Sequence, residues 1–186
     1  MIVAFGDSLT AGQGVPAGAS YPDFLRRLMA RAGRRAQVLN AGVCGDTSLG
    51  GLHRVEDVLR LRPSWVVLEL GGNDGLRGWR PVVTLANLHH IIARLRARHI
   101  HVLLAGIAMP PGVPPTYARA FQRVFGLLAR RHHLPLLPFL YQDLVLQMHR
   151  HPALLQTDGI HATARGNRIV AATVWRYLQP LLRKMP

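Results

Sequence analysis

The chain has 186 residues, 49% of them hydrophobic and 17% charged, which suits one globular domain over residues 1–186 and excludes a disordered or fibrous chain. Its 23 basic residues against 9 acidic ones leave a net charge of +14, and a single cysteine, Cys44, excludes an internal disulfide framework. The apolar runs break well before the ~18 residues that a membrane span requires, so a soluble protein with no transmembrane segment is expected.

In chain order, apolar runs near 2–5, 36–40, 65–70, 101–106 and 135–138 predict five strands, with helical patterns between them. Ser20, followed three residues later by Asp23, has the spacing of a capping box for the first long helix, and Gly33 is its stop. Pro63 ends the second. His99, His132 and His133 fall at helix ends, where donor or cationic side chains can meet exposed carbonyls, and Thr163 stands just ahead of the last helix. Tyr21, Phe24, Trp175 and Tyr177 are read as core residues on helix faces. Strand then helix, five times over, predicts a parallel sheet covered on both faces. The site then lies beyond the carboxyl ends of the strands.

The positive charge admits nucleic acid or an anionic lipid surface as a partner. Its arginines are nevertheless spread over several helices: Arg26, Arg27, Arg31, Arg34 and Arg35, then Arg94, Arg96 and Arg98, then Arg119, Arg123, Arg130 and Arg131. With Lys184 the one lysine, no ribonucleoprotein-type aromatic pattern and no helix-turn-helix, the basic residues read as a solvated surface, and no specific nucleic-acid partner is expected. What remains is an attraction for anionic acyl carriers or phospholipid surfaces. His99/His101 and His149/His151 have a spacing that suits metal on a strand, but no carboxylate or thiol cluster joins them, so neither a metal nor a cofactor is expected. Cys44 is read as a small buried filler. Because the first strand begins at Ile2 with no charged leader ahead of it, the chain as given reads as cytoplasmic; removal of a leader would make it periplasmic or secreted.

The chemistry concentrates where strands end. Gly6-Asp7-Ser8-Leu9 follows the run Ile2 to Phe5, and Asp158-Gly159-Ile160-His161 stands near the far end of the chain. A hydroxyl at a strand exit, an imidazole and a carboxylate three residues before it are the parts of a serine nucleophile, its base and the base's orienter. The turn containing Gly159 lets Asp158 fold back on the ring nitrogen facing away from Ser8. Two more strand exits are polar and glycine-rich, Ala41-Gly42-Val43-Cys44-Gly45-Asp46-Thr47-Ser48 and Glu69-Leu70-Gly71-Gly72-Asn73-Asp74. Asp7, Asp46 and Asp74 are expected to accept hydrogen bonds from loop N–H groups. The serine context is Gly6-Asp7-Ser8-Leu9-Thr10 and lacks the second glycine of a G-x-S-x-G elbow, so an open site without a strained turn is expected.

These segments resemble the GDSL or SGNH hydrolases, and within them the thioesterase I, lysophospholipase and arylesterase branch. The signature letters fall on Ser8, Gly45, Asn73 and His161; the branch is carried by Leu68 to Gly78 and by Gly45-Asp46-Thr47-Ser48 with Gly51-Leu52 behind it. The likeness spans Ile2 to about Leu182. Two departures stand out: Ala162 replaces the usual proline after the histidine, which loosens that loop, and the stiff stretch Pro110 to Pro115 narrows or shortens the substrate groove.

The resemblance implies an α/β fold of three layers, α/β/α, around a five-stranded parallel flavodoxin-like sheet in the order 2-1-3-4-5. It implies hydrolysis of carboxylic esters or thioesters through an acyl-enzyme, with Ser8, Asp158 and His161 catalytic. The oxyanion hole is then the backbone N–H of Ser8 and of Gly45 with the Asn73 amide. Leu76, Trp79 and Met109, after the third and fourth strands, are the candidates for an apolar groove. From its place in the Gly51-Leu52-His53-Arg54 match, Arg54 is the candidate partner of Glu69. The implied partner is a small-molecule ester or thioester, including lysophospholipid or acyl-CoA, on a monomer without cofactor. Short-chain and aryl esters rank ahead of long acyl thioesters. A carbohydrate O-deacetylase on the same fold, and a basic module that binds anions or nucleic acid, are the alternatives.

Overall fold

The computed structural model describes residues 1–34, 37–148 and 150–183, so the readings of Arg35, His149 and Lys184 lie outside the described residues. Five strands, β1 (Ile2–Gly6), β2 (Val38–Gly42), β3 (Trp65–Glu69), β4 (His101–Ala105) and β5 (Leu136–Leu137), form one parallel sheet in the order β2-β1-β3-β4-β5. The order and the strand positions are those expected.

Alternation within the strands sorts the core into two layers, since successive side chains point to opposite faces. Ile2, Ala4, Trp65, Val67, Leu103 and Ala105 face one way, against α2 (Tyr21–Arg31) and α8 (Ala164–Arg183). Val3, Phe5, Val66, Leu68, Val102 and Leu104 face the other, against α3 (Ser48–Arg60), α5 (Pro81–Ala97) and α6 (Pro115–His132). Both faces of the central strands are therefore buried, which is why these strands read as continuous apolar runs. Tyr21 and Phe24 are in the core, with Trp175 and Tyr177 packed at its margin.

The helix boundaries follow local chemistry. The Ser20 N–H donates to Asp23 Oδ2 at 3.1 Å, forming the expected capping box, and α2 gives way to Gly33 at φ +72°. The Thr163 hydroxyl accepts from Gly166 N at 3.3 Å at the start of α8. At the helix ends, His99 and His133 contribute backbone, adopting φ +57° and +51°, while the His132 ring lies 2.7 Å from the His89 ring. His101, whose spacing from His99 suits a metal, instead stacks on Trp65 with ring centroids 4.9 Å apart. Between the last strand and α8 run α7 (Gln142–Met148) and a 3-10 turn (Pro152–Leu154), beyond the simple strand-helix rhythm. Among the described residues, no helix is long and apolar enough to cross a membrane.

Register is what matters for the site. Gly6 is paired with Gly42 on one side and with Glu69 on the other, so three loops leave from the same level of adjacent strands, ~4.8 Å apart. Residues far apart in sequence thereby share one rim.

Candidate active site

Directly after β1, Asp7 caps a one-turn helix, α1 (Ser8–Ala11), its carboxylate accepting from Leu9 N at 3.0 Å. Ser8 is the first residue of that turn, 8% exposed, where its backbone N–H has no intrahelical acceptor. No glycine elbow is needed. Gly6 permits the approach instead: a Cβ there would stand 2.0 Å from the Thr10 hydroxyl and 2.6 Å from the Glu69 carbonyl oxygen.

The opposite partner comes from the loop ahead of α8. Asp158 Oδ1 accepts from the backbone N–H of Ile160 at 2.9 Å and of His161 at 3.0 Å, which fixes the turn through Gly159. Its Oδ2 is then 2.6 Å from His161 Nδ1, and His161 Nε2 is 2.9 Å from Ser8 Oγ. With Nδ1–H donating to the carboxylate, Nε2 is left to accept from the serine hydroxyl. The ring hydrogen bond, followed by the backbone donor of His161, holds the Asp158 carboxyl down at about 2.

Two supports of this loop carry no sequence signal. Gln156 Nε2 donates to Gln13 O at 2.7 Å and to Ala162 O at 3.1 Å, tying the histidine loop to the loop that follows Ser8. Tyr141 OH accepts from Ala162 N at 3.3 Å, a bond that the family's usual proline could not make. Ala162 is buried, so the loosening expected from it is replaced by a different anchor.

The other two loops meet Ser8 from the β2 and β3 sides. Asp46 N donates to Val43 O at 3.1 Å, closing a turn with Gly45 at φ +76°, a left-handed position that favours glycine. Among the described residues, nothing accepts from the Gly45 N–H. After β3 the chain enters a short helix, α4 (Gly72–Leu76), carrying Asn73. Asn73 Nδ2 donates to Asp46 O at 2.8 Å and to Asp7 Oδ2 at 3.2 Å, so its amide stands between the β1 and β2 loops.

The acidic residues divide in ways their flanking glycines do not reveal. Asp7 forms the expected turn with Leu9. Asp74 also accepts a backbone N–H, but from the far side of the β2 loop: Ser48 N donates to it at 2.8 Å, as do the Ser48 hydroxyl and, at 3.0 Å, Thr84 Oγ1, with Asn87 Nδ2 on Ser48 Oγ at 3.0 Å. Asp46 is an ion-pair partner: Arg54 Nε reaches its Oδ2 at 2.6 Å.

This corrects the expected pairing of Arg54 with Glu69. The two remaining arms of Arg54 donate to Ala41 O and Gly6 O at 2.7 Å each, and its guanidinium lies 4.4 Å from the centre of the Phe5 ring. Glu69 continues the alternation of β3 toward the α2 side of the sheet, whereas Arg54 rides on α3 across it, so the sheet separates them. Cys44 is likewise corrected. It is exposed on the turn at the rim, where the chain has left the strand and there is no core to fill.

The three groove candidates gather on one side of the rim. Leu76 is 48% exposed and ends α4, not a loop. Met109 is half-buried and its sulfur packs on Gly75, 2.3 Å from where a Cβ would lie. Trp79 is half-buried; its carbonyl accepts from Tyr117 OH at 2.7 Å, which brings α6 to this wall. Pro114 and Pro115 form the entry to α6, the stiff stretch expected there. The helix arginines named above are exposed, apart from Arg34, which is partly covered, and Arg35, which lies outside the described residues. Among the described residues, no group of three or more His, Cys, Asp or Glu side chains could hold a metal ion.

Comparison with known proteins gives the same family from independent directions. The GDSL-like lipase/acylhydrolase family matches residues 4–169. Esterase TesA of Pseudomonas aeruginosa is 37% identical over 182 residues, covering 97% of this chain and 89% of that protein. Thioesterase 1/protease 1/lysophospholipase L1 of Escherichia coli K12 is 36% identical over 182 residues, 97% of this chain and 84% of its own. A crystal structure of TesA superposes with a TM-score of 0.90 at 36% identity, covering 97% of this chain and 98% of that one.

Proposed function

Because this chain belongs to the GDSL-like lipase/acylhydrolase family, we propose that its rim hydrolyses esters and thioesters through an acyl-enzyme on Ser8. The chain is an ester-hydrolysing enzyme. The observation that carries the residue assignment is the continuous hydrogen-bonded run from Ser8 Oγ to His161 Nε2 at 2.9 Å and from His161 Nδ1 to Asp158 at 2.6 Å.

Ser8 Oγ attacks the acyl carbon while His161 Nε2 takes its proton. The carbonyl π pair moves to oxygen, and the oxyanion is received by the N–H of Ser8, the N–H of Gly45 and the Asn73 amide. Of the two Asn73 bonds, the 3.2 Å one to Asp7 is the longer, and it is the one an incoming oxygen competes for. Collapse of the tetrahedral intermediate breaks the bond to the leaving alkoxide or thiolate, which takes the proton from His161. Water, activated by the same imidazole, then attacks the acyl-serine and restores the hydroxyl. Asp158 fixes the tautomer and stabilises the imidazolium throughout.

The substrate class is a small-molecule carboxylic ester or thioester, its acyl part lying along Leu76, Trp79 and Met109. The names of the relatives bring thioesters and lysophospholipids into this class, and the stiff Pro110 to Pro115 favours short-chain and aryl esters. Nothing favours the deacetylase or the nucleic-acid-binding alternative. A chain-length series of nitrophenyl esters and acyl-CoA, run on one preparation, should fall off with length; a flat profile would refute a shaped groove. A fluorophosphonate should label the parent and not Ser8→Ala, and a label that persisted in the variant would show another nucleophile at work.

A further inference from the structure

Beneath Ser8 lies a second carboxyl that the reaction above does not use. Glu69, at the end of β3, is fully buried, and its Oε1 has no hydrogen-bond partner among the described residues. Its Oε2 accepts from the Thr10 hydroxyl at 2.7 Å and lies 3.4 Å from Asp7 N; Thr10 Oγ1 is in turn 3.4 Å from Tyr21 OH. Arg54, the arginine expected to pair with Glu69, is engaged on Asp46, Ala41 and Gly6. A buried carboxyl with two donors on one oxygen and no cation is at its least costly when the other oxygen carries a proton.

That proton has a natural acceptor. The Asp7 carboxyl adjoins that of Glu69 and receives the Asn73 amide on Oδ2. The charged or titratable groups facing this pair are Tyr21 from α2, Tyr141 ahead of α7, Asp46 from the β2 loop and His161 from the α8 loop. Burial and then the charge of Asp7 push Glu69 well above the usual carboxylate range, and burial pushes Asp7 up to about 6.

We propose that Glu69 is a positioning residue, neutral in the folded protein, whose buried hydroxyl holds Asp7 and through it the Asn73 amide that receives the acyl oxygen. The pair then bears at most one negative charge, which limits the repulsion that an oxyanion at Asn73 would meet. This rests on the oxyanion reading of Asn73 given above.

Glutamine is the test, because its amide copies a neutral carboxylic acid: oxygen for Thr10 and Asp7 N, N–H for the Asp7 carboxylate. On a soluble short-chain ester, Glu69→Gln should keep kcat within about threefold, whereas Glu69→Ala should lose about 10 to 100-fold in kcat at little-changed KM. Thermal unfolding supplies a readout that needs no turnover. Since the folded protein holds the Glu69 proton more tightly than the unfolded chain, whose carboxyl titrates near 4.5, the contribution of Glu69 is full below that value and is lost as pH rises. The parent should therefore lose Tm relative to Glu69→Gln as the pH is raised above about 5. Parallel melting curves across that range, or a glutamine variant as impaired as the alanine one, would overturn the proposal. If Glu69→Ala does not fold, the melting comparison of parent and Glu69→Gln decides. Failure of the Ser8 reading would appear separately, as absence of phosphonate labelling in the parent.

Discussion

Replacing Arg54 by methionine keeps an unbranched apolar stem but deletes three donors at once, together with the guanidinium that lies 4.4 Å from the centre of the Phe5 ring. Its side chain is 21% exposed and that of its partner Asp46 is 9% exposed, so the pair sits in a medium well short of bulk water. Breaking one side of a fully buried pair costs ~3–5 kcal/mol, chiefly because the remaining charge is stranded. Partial exposure lowers that here, while the loss of bonds to Ala41 O and Gly6 O adds to it, which gives a net of about 2–4 kcal/mol. For a chain of 186 residues this is a fall in Tm of roughly 5–15 °C. Turnover should fall as well, because Asp46 supplies the carbonyl that holds Asn73 Nδ2 at 2.8 Å. The control is Arg60→Ala, which removes an equally short pair with Asp57 whose side chains are 74% and 70% exposed; its Tm should move by no more than about 2 °C. Reversible urea unfolding of the two variants and the parent is the assay. A loss below about 1 kcal/mol for Arg54→Met would refute the idea that burial, and not bond length, sets the worth of these pairs.

Asn73→Ala should fold normally and lose ~100 to 1000-fold in kcat on a nitrophenyl ester, the usual consequence of removing one oxyanion donor; a rate equal to the parent's would take Asn73 out of the hole. With its carboxyl held at about 2 by His161, Asp158 lends stability that is full above the ordinary value of 3.8 and is lost as pH falls toward about 2. The Tm difference between parent and Asp158→Asn should accordingly be constant above about pH 4 and close as the pH approaches 2. A gap that stayed open at the acid end would mean that the carboxylate is not the source.

What the amino-acid order alone determined is whatever depends on near neighbours. Five apolar runs, the Ser20 and Asp23 capping box and the Gly33 stop are short-range, and each is where it was expected. The turn that folds Asp158 back on His161 is equally local, three residues around Gly159, so that half of the site was legible without coordinates. The family motifs supplied the rest of the rim. Glu69 could in part have been read too, since strict alternation along Trp65 to Glu69 assigns it to the face opposite α3.

Tertiary structure decided the partners. Which carboxylate takes Arg54, which hydroxyl receives the Ala162 N–H and which carbonyls Gln156 ties together depend on three strand ends meeting in register. The residues involved are up to 143 positions apart, a separation no local pattern encodes. Exposure of Cys44 has the same origin: a free cysteine is commonly a core filler, but the rim on which the fold places this one faces outward. The alternation of side chains along a strand sets which residues share a face of the sheet, and only the assembled sheet sets whom they meet there.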